Sequence, residues 1–180
     1  TEDEEIEVKV AVSSTGTSGA YINLRELDGH NFDSLKKSGD ILWARELGKF
    51  KIKGTREQTE TFYTSVYHAA LHPFIYEDMD NRYRGHDSNI HRADSFTNYT
   101  VFSLWDTYRA HHPLLNLVNR ERNADMVHSM LAHYEQSVER MLPVWSFYGN
   151  ETWCMIGYHG VSVIAAAIVK DLKGVDYERA

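Results

Sequence analysis

From residue 33 onward, apolar side chains recur every three or four positions in one segment after another, and this helical period limits the chain's possible folds more than any other feature. Leu35, Ile41, Leu42, Ala44 and Leu47 predict an amphipathic helix ending before Gly48, with Gly39 weakening its middle. Thr55, with Gln58 three residues later, reads as a capping box. The helix it opens runs to His72, where Pro73 stops it, and turns Phe62, Val66, Ala69 and Ala70 inward. Further helices are predicted over 99–111, halted by Pro113, and over 122–138 with Val127, Met130, Leu131 and Tyr134 inward. A short piece begins at Leu114, and a last helix over 155–172 is closed by Gly174 as its C′ residue. Residues 77–94 and 143–152 read as loops, the second one aromatic. The expected body is mainly α, arranged as a toroid of helices or, on periodicity alone, as a bundle.

The start of the chain has a different period. Ile6, Val8, Val10 and Val12 alternate with Glu7 and Lys9, as in a half-buried strand. One strand cannot be a sheet, so it is expected to close a β domain lying largely upstream of residue 1. Ser13-Ser-Thr-Gly-Thr-Ser-Gly19 and the irregular stretch 21–30 then form a linker. Thr1-Glu-Asp-Glu-Glu carries neither an initiator Met nor a basic leader, so the start is expected to be cut from something longer.

Charge and cysteine content narrow the function. With 19 Lys+Arg against 26 Asp+Glu the net charge is −7, and no basic run interrupts it, which disfavours a nucleic-acid partner. The single Cys154 cannot form an intrachain disulfide and reads as inert packing beside Trp153 and Met155. Val161-Ser-Val-Ile-Ala-Ala-Ala-Ile-Val169 is roughly half as long as a membrane span requires, so no membrane span is expected and this is a buried helix.

Three groups of residues are candidates for chemistry. Trp105, Asp106 and Arg109 are close on the predicted 99–111 helix; an aromatic face beside a carboxylate and a guanidinium suits a sugar, whose C–H groups pack on the ring while its paired hydroxyls bind the charges. An ordinary i,i+3 ion pair beside a core Trp is the alternative. Glu151 is flanked in sequence by Trp145, Phe147, Tyr148 and Trp153. Aromatic walls desolvate a carboxylate and favour the protonated form a general acid needs, whereas a plain loop glutamate is solvated. Among the ten histidines, His68 and His72 stand four apart as metal ligands often do, yet Ala69 removes the glutamate of a zinc-hydrolase HExxH pattern. Asn98-Tyr-Thr and Asn150-Glu-Thr match the short glycosylation acceptor pattern.

Taken in order, Phe62-Tyr-Thr-Ser-Val-Tyr-His-Ala-Ala-Leu-His-Pro73, Arg82-Tyr-Arg-Gly-His-Asp87, Tyr99-Thr-Val-Phe-Ser-Leu-Trp-Asp-Thr-Tyr-Arg-Ala110, Pro143-Val-Trp145, Gly149-Asn-Glu-Thr152 and Met155-Ile-Gly-Tyr-His159 resemble blocks of glycoside hydrolase family 92, the calcium-dependent exo-α-mannosidases. The resemblance implies an N-terminal β-sandwich followed by an (α/α)6 barrel, with residues 1–24 as the end of the sandwich and linker and 25–180 as about the first half of the barrel. It implies an inverting enzyme in which Glu151 is the acid, Trp105, Asp106, Arg109 and Asn150 contact the substrate, and a separate carboxylate activates water. It also implies a mannose-terminated glycan as ligand, Ca²⁺ held mostly by oxygens outside this chain, the remainder of the catalytic domain as partner, and a periplasmic or extracellular location. The family's GNEPxH-like and GGNDD-like blocks have no counterpart here, so these 180 residues alone are expected to be inactive. A non-catalytic helical module that binds carbohydrate or serves in assembly is the competing expectation.

Overall fold

The structure, a computed structural model, describes residues 6–180. Two long helices come first in the body: α2 (Phe32–Leu47) follows a shorter α1 (Thr17–Leu24), and α3 (Arg56–Leu71) lies against it. Both begin with the reciprocal cap that satisfies orphan N–H groups, Asn31 with Ser34 and Thr55 with Gln58. Trp43 meets Tyr67 at 4.5 Å between ring centroids, and Phe50 meets Phe62 edge-on. Neither helix buries a side chain fully.

The core lies elsewhere, on α5 (His111–Val118), α6 (Arg120–Gln136) and α7 (Gly160–Val169). Met126, Val127 and Met130 of α6 pack with Leu104, Leu115, Val163, Ile164, Ala167 and Leu172. Each of the larger side chains among them contributes about 1.5–3 kcal/mol on burial. Tyr134 is exposed, contrary to the sequence expectation; the inward seat one turn beyond Met130 goes to His133, which completes the i, i+4, i+7 row from Met126. Pro113 does not halt a helix: it occupies the first turn of α5, where its missing N–H costs nothing. The last helix is shorter than expected and does not use Gly174. Asp171, at φ 49°, takes the left-handed position, with Leu172 N–H donating to the Ala167 carbonyl and Asp171 N–H to that of Ile168, a Schellman closure.

Several segments read as loop or helix are strands. The 77–94 stretch contains an antiparallel hairpin, β2 (Arg82–Arg84) with β3 (Ile90–Arg92). The predicted 99–111 helix is broken into β4 (Tyr99–Thr100), which pairs with β1 (Phe74–Ile75), then β5 (Phe102–Ser103) and a four-residue helix α4 (Leu104–Thr107). Tyr99 and Phe102 stand i,i+3 and imitate a helical stripe, but Tyr-Thr-Val-Phe is a strand-prone run and Val101 adopts φ 67°. The aromatic loop 143–152 is also a hairpin, β6 (Trp145–Phe147) and β7 (Asn150–Glu151).

Residues 6–12 form no strand among the described residues, and Ile6, Val8, Val10 and Val12 are exposed. A strand exists only through a ladder, and no described segment supplies one. The predicted linker is more ordered than expected: α1 and a 3-10 turn (Arg25–Leu27) occupy much of it. Buried Asp78 accepts from the hydroxyls of Ser13 (2.7 Å) and Thr15 (2.5 Å) and from Asn23 Nδ2 (2.7 Å), fastening that segment to the body. No helix among the described residues is long and apolar enough to cross a membrane.

Candidate active site

A three-stranded antiparallel sheet, ordered β5-β6-β7, brings together the three motif segments that carry Asp106, Trp145 and Glu151. Its register sorts their side chains, because residues directly opposite one another share a face and neighbours along a strand alternate. Phe102, Ser146 and Glu151 form one row. Phe102 and Ser146 are buried against α6, so this is the inner face. Ser103 with Trp145, and Phe147 with Asn150, occupy the other face, where Phe147 and Asn150 are exposed.

On the inner face the Glu151 side chain is only 8% exposed. Its Oε1 accepts from the backbone N–H groups of Trp145 and Trp153, and Oε2 from that of Val144, each at 2.9 Å. His133 of α6 places Nε2 3.7 Å from Oε2. The expected aromatic enclosure is therefore replaced by one of backbone donors and a histidine. Trp145 and Phe147 fall on the opposite face by strand alternation, while Tyr148 and Trp153 are exposed.

The two-residue link between β6 and β7 explains the placement of Glu151. Tyr148 adopts φ 54°, and Gly149 packs so close to the β2–β3 hairpin that a Cβ there would lie 2.8 Å from the Arg84 carbonyl oxygen. Glycine at 149 thus lets one hairpin press on the other, joining the Arg82–Arg84 block to the Glu151 block.

The outer residues are less organised. Trp105 is 36% exposed on α4, and Asp106 accepts the Ser103 hydroxyl at 2.5 Å. Arg109 makes no ion pair with Asp106; it lies beyond the end of α4, with its guanidinium carbon 5.3 Å from the Tyr108 ring centroid. Tyr108 stacks on His159 at 4.1 Å. The helical ion-pair alternative for this motif does not form, since α4 ends at Thr107. Asp106, Trp145 and Asn150 reach one side of the sheet, whereas Glu151 points to the other.

His68 and His72 do not share a helix face, because α3 ends at Leu71 and His72 is extended. Among the described residues no group of three His, Cys, Asp or Glu side chains is arranged to hold a metal ion. A Ca²⁺ site needs six or more oxygens, and the carboxylates near the sheet are committed to Ser103 or to backbone N–H groups, so the residues present do not form one. Cys154 is exposed rather than packed. Asn98 is 4% exposed and donates to the Tyr76 carbonyl, so it is closed to glycosylation.

The sequence reading missed His133 and His86. Their rings lie 3.7 Å apart between centroids, with His133 4% exposed. Burial pushes the His133 imidazole down to about 3, with the neighbouring His86 adding to the effect, and burial also lowers His86. The available signal was the inward row of α6, in which His133 follows Met126 and Met130.

Comparison with known structures identifies the class as glycoside hydrolase. The GH92 α-mannosidase BT3965 from Bacteroides thetaiotaomicron, solved alone and in complex with mannoimidazole, is 63% identical with a TM-score of 0.91 over 93% of this chain. The GH92 inverting mannosidase BT2199 from the same organism is 29% identical, with a TM-score of 0.84 over 93% of the chain. The chain spans 22% of the length of BT3965 and 23% of BT2199. No curated protein matches the sequence. Residues 19–180 match the glycosyl hydrolase family 92 catalytic domain, and the chain belongs to that family.

Proposed function

We propose that the chain forms part of the catalytic domain of an inverting exo-α-mannosidase that removes terminal α-mannose from glycans such as N-glycans. Residues 25–180 would be about the first half of an (α/α)6 barrel, with residues 1–24 as the end of an upstream β-sandwich and linker. The carrying observation is the β5-β6-β7 sheet, which joins the motif segments carrying Asp106, Trp145, Asn150 and Glu151 in one small unit; the Glu151 carboxyl lies on its inner face, so a sugar oxygen would have to meet it from that side. Trp105 and Trp145 offer ring faces to a pyranose, and Asp106, Arg109 and Asn150 offer hydrogen bonds to its hydroxyls.

Glu151 is the proton donor to the departing glycosidic oxygen in this reading, and the base that activates water lies outside these residues. Ca²⁺ would be gripped by oxygens from the rest of the domain, and no step here runs through it. A periplasmic or extracellular location follows from the same reading. The three backbone N–H groups on the Glu151 carboxyl favour a second reading, in which Glu151 organises the 143–153 segment and the donor is also elsewhere. A non-catalytic carbohydrate-binding or assembly module is the remaining alternative.

The test is the full-length polypeptide on a terminal α-mannoside, with the released sugar followed by proton NMR. Mannose should appear first as the β anomer, whereas initial release of the α anomer or no turnover rejects the proposal. The isolated 180-residue chain should show no turnover, because an inverting pair with one member missing cannot activate water.

A further inference from the structure

Beside His133, between the inner face of the sheet and α6, lies a cavity of about 20 Å³ lined by Tyr83, His86, Thr100, His133, Gln136 and Ser146, among others. One water needs about 10–15 Å³, so the space accepts a single molecule among polar neighbours. His133 Nδ1 is buried and has no hydrogen-bond partner. Nε2 of the same ring is the nitrogen nearest the Glu151 carboxyl. That carboxyl has two backbone donors on Oε1 but one on Oε2, so the open direction is the one His133 faces. Of the other titratable groups, His86 from the β2–β3 turn lies against His133 with its ring tilted by 43°, with Asp87 beyond it.

We propose that His133 is a positioning residue for Glu151: as a neutral imidazole it turns Nε2–H toward Oε2, 3.7 Å away, and the cavity beside the ring leaves room for the small shift that closes this gap to a hydrogen bond. The ring thereby fixes the carboxyl on the side that backbone donors leave open. A neutral histidine has one donor nitrogen, and the Glu151 carboxyl is the acceptor that Nε2 faces. The strongly lowered protonation range of His133 agrees with a ring that stays neutral at working pH. His86 closes the outer side of the ring. The inference rests on Glu151 belonging to the mannosidase site, whether as proton donor or as organiser.

The test is a double-mutant cycle in the full-length enzyme. His133→Phe, which fills the site but cannot donate, should lower kcat on a mannoside about tenfold with KM nearly unchanged, the size of one coupled contact. His133→Gln, whose amide restores an N–H, should recover most of that loss. In a Glu151→Gln background His133→Phe should have little further effect. Equal losses for the Phe and Gln variants, or losses that multiply in the double variant, overturn the inference. Should the variants not fold, NMR of the ¹⁵N-histidine-labelled enzyme decides: a neutral His133 carrying Nε2–H from about pH 8 to about pH 4 supports it, and a Nδ1–H tautomer or charging near the ordinary histidine range overturns it. Failure of Glu151→Gln to discriminate between leaving groups would reject the proton-donor role, whereas additivity in the cycle rejects only the His133 assignment.

Discussion

The two faces of the β5-β6-β7 sheet are one residue apart in sequence and opposite in character. Phe102, Ser146 and Glu151 are held against α6 and the backbone, whereas Phe147 and Asn150 stand in the open with few partners. The inner side has most of its hydrogen bonds and packing made; the outer side exposes the Phe147 ring and the Asn150 amide. The difference teaches that position and recognition are divided between alternate residues of the same strands, so the faces should fail in different ways when altered.

The sharpest contrast comes from Phe102, which is 2% exposed at the start of the inner row. Phe102→Ala should cost about 3–5 kcal/mol through lost burial and a residual cavity, read as a lowered midpoint in denaturant. A loss below about 1 kcal/mol would mean the inner face is not built into the core.

The buried side also carries an acid-sensitive element, His112, whose Nδ1 lies 2.9 Å from Asn123 Oδ1 and whose Nε2 has no partner. Burial pushes it from 6.5 down to about 4, outweighing the Asn123 hydrogen bond. The unfolded chain therefore takes up its proton first, so this stabilisation is complete above about pH 6.5 and is lost as the pH falls toward about 4. At about 1.36 kcal/mol per pH unit the loss approaches 3 kcal/mol, and it should be largely absent in His112→Gln. Unfolding followed at several pH values checks this; identical slopes for both proteins would break the assignment.

Gly149 connects the two regimes, because a methyl group there meets the Arg84 carbonyl oxygen. Gly149→Ala should cost about 1–3 kcal/mol by overpacking and should lower kcat as well, since the hairpin that aims Glu151 must move. Calorimetry paired with kinetics would show both effects. The smallest change in stability is expected on the outer face. Asn150→Ala should alter the unfolding free energy by less than about 0.5 kcal/mol while weakening mannoside binding in the full-length enzyme, and a large stability loss without a binding change would reverse the roles of the faces.

Much of the helical frame was readable because its signals are local. The Thr55–Gln58 cap, the end of α2 before Gly48 and the Met126–Met130 row each need only a few neighbouring residues, whereas the α2 stripe was misleading: Ile41, Leu42 and Ala44 are exposed. Strands of two or three residues carry no usable alternation, so β2 to β7 were hidden in apparent loops or, at Tyr99 and Phe102, in an apparent helix. The family blocks pointed to Trp105, Asp106, Asn150 and Glu151, but not to the face each would occupy. That is set by the register of β6 on β7 and by the close approach of Gly149 to another hairpin, both long-range. His133 escaped notice because a single histidine in an apolar row has no motif; only the fold brings it to Glu151.

Leaving-group dependence tests the central claim most directly. In the full-length polypeptide, Glu151→Gln should cut turnover of a mannose disaccharide by about 10²-fold or more while largely sparing a dinitrophenyl α-mannoside, whose departing phenolate needs no proton. Equal losses on both substrates would contradict a proton-donating Glu151 and leave it the organiser of its hairpin.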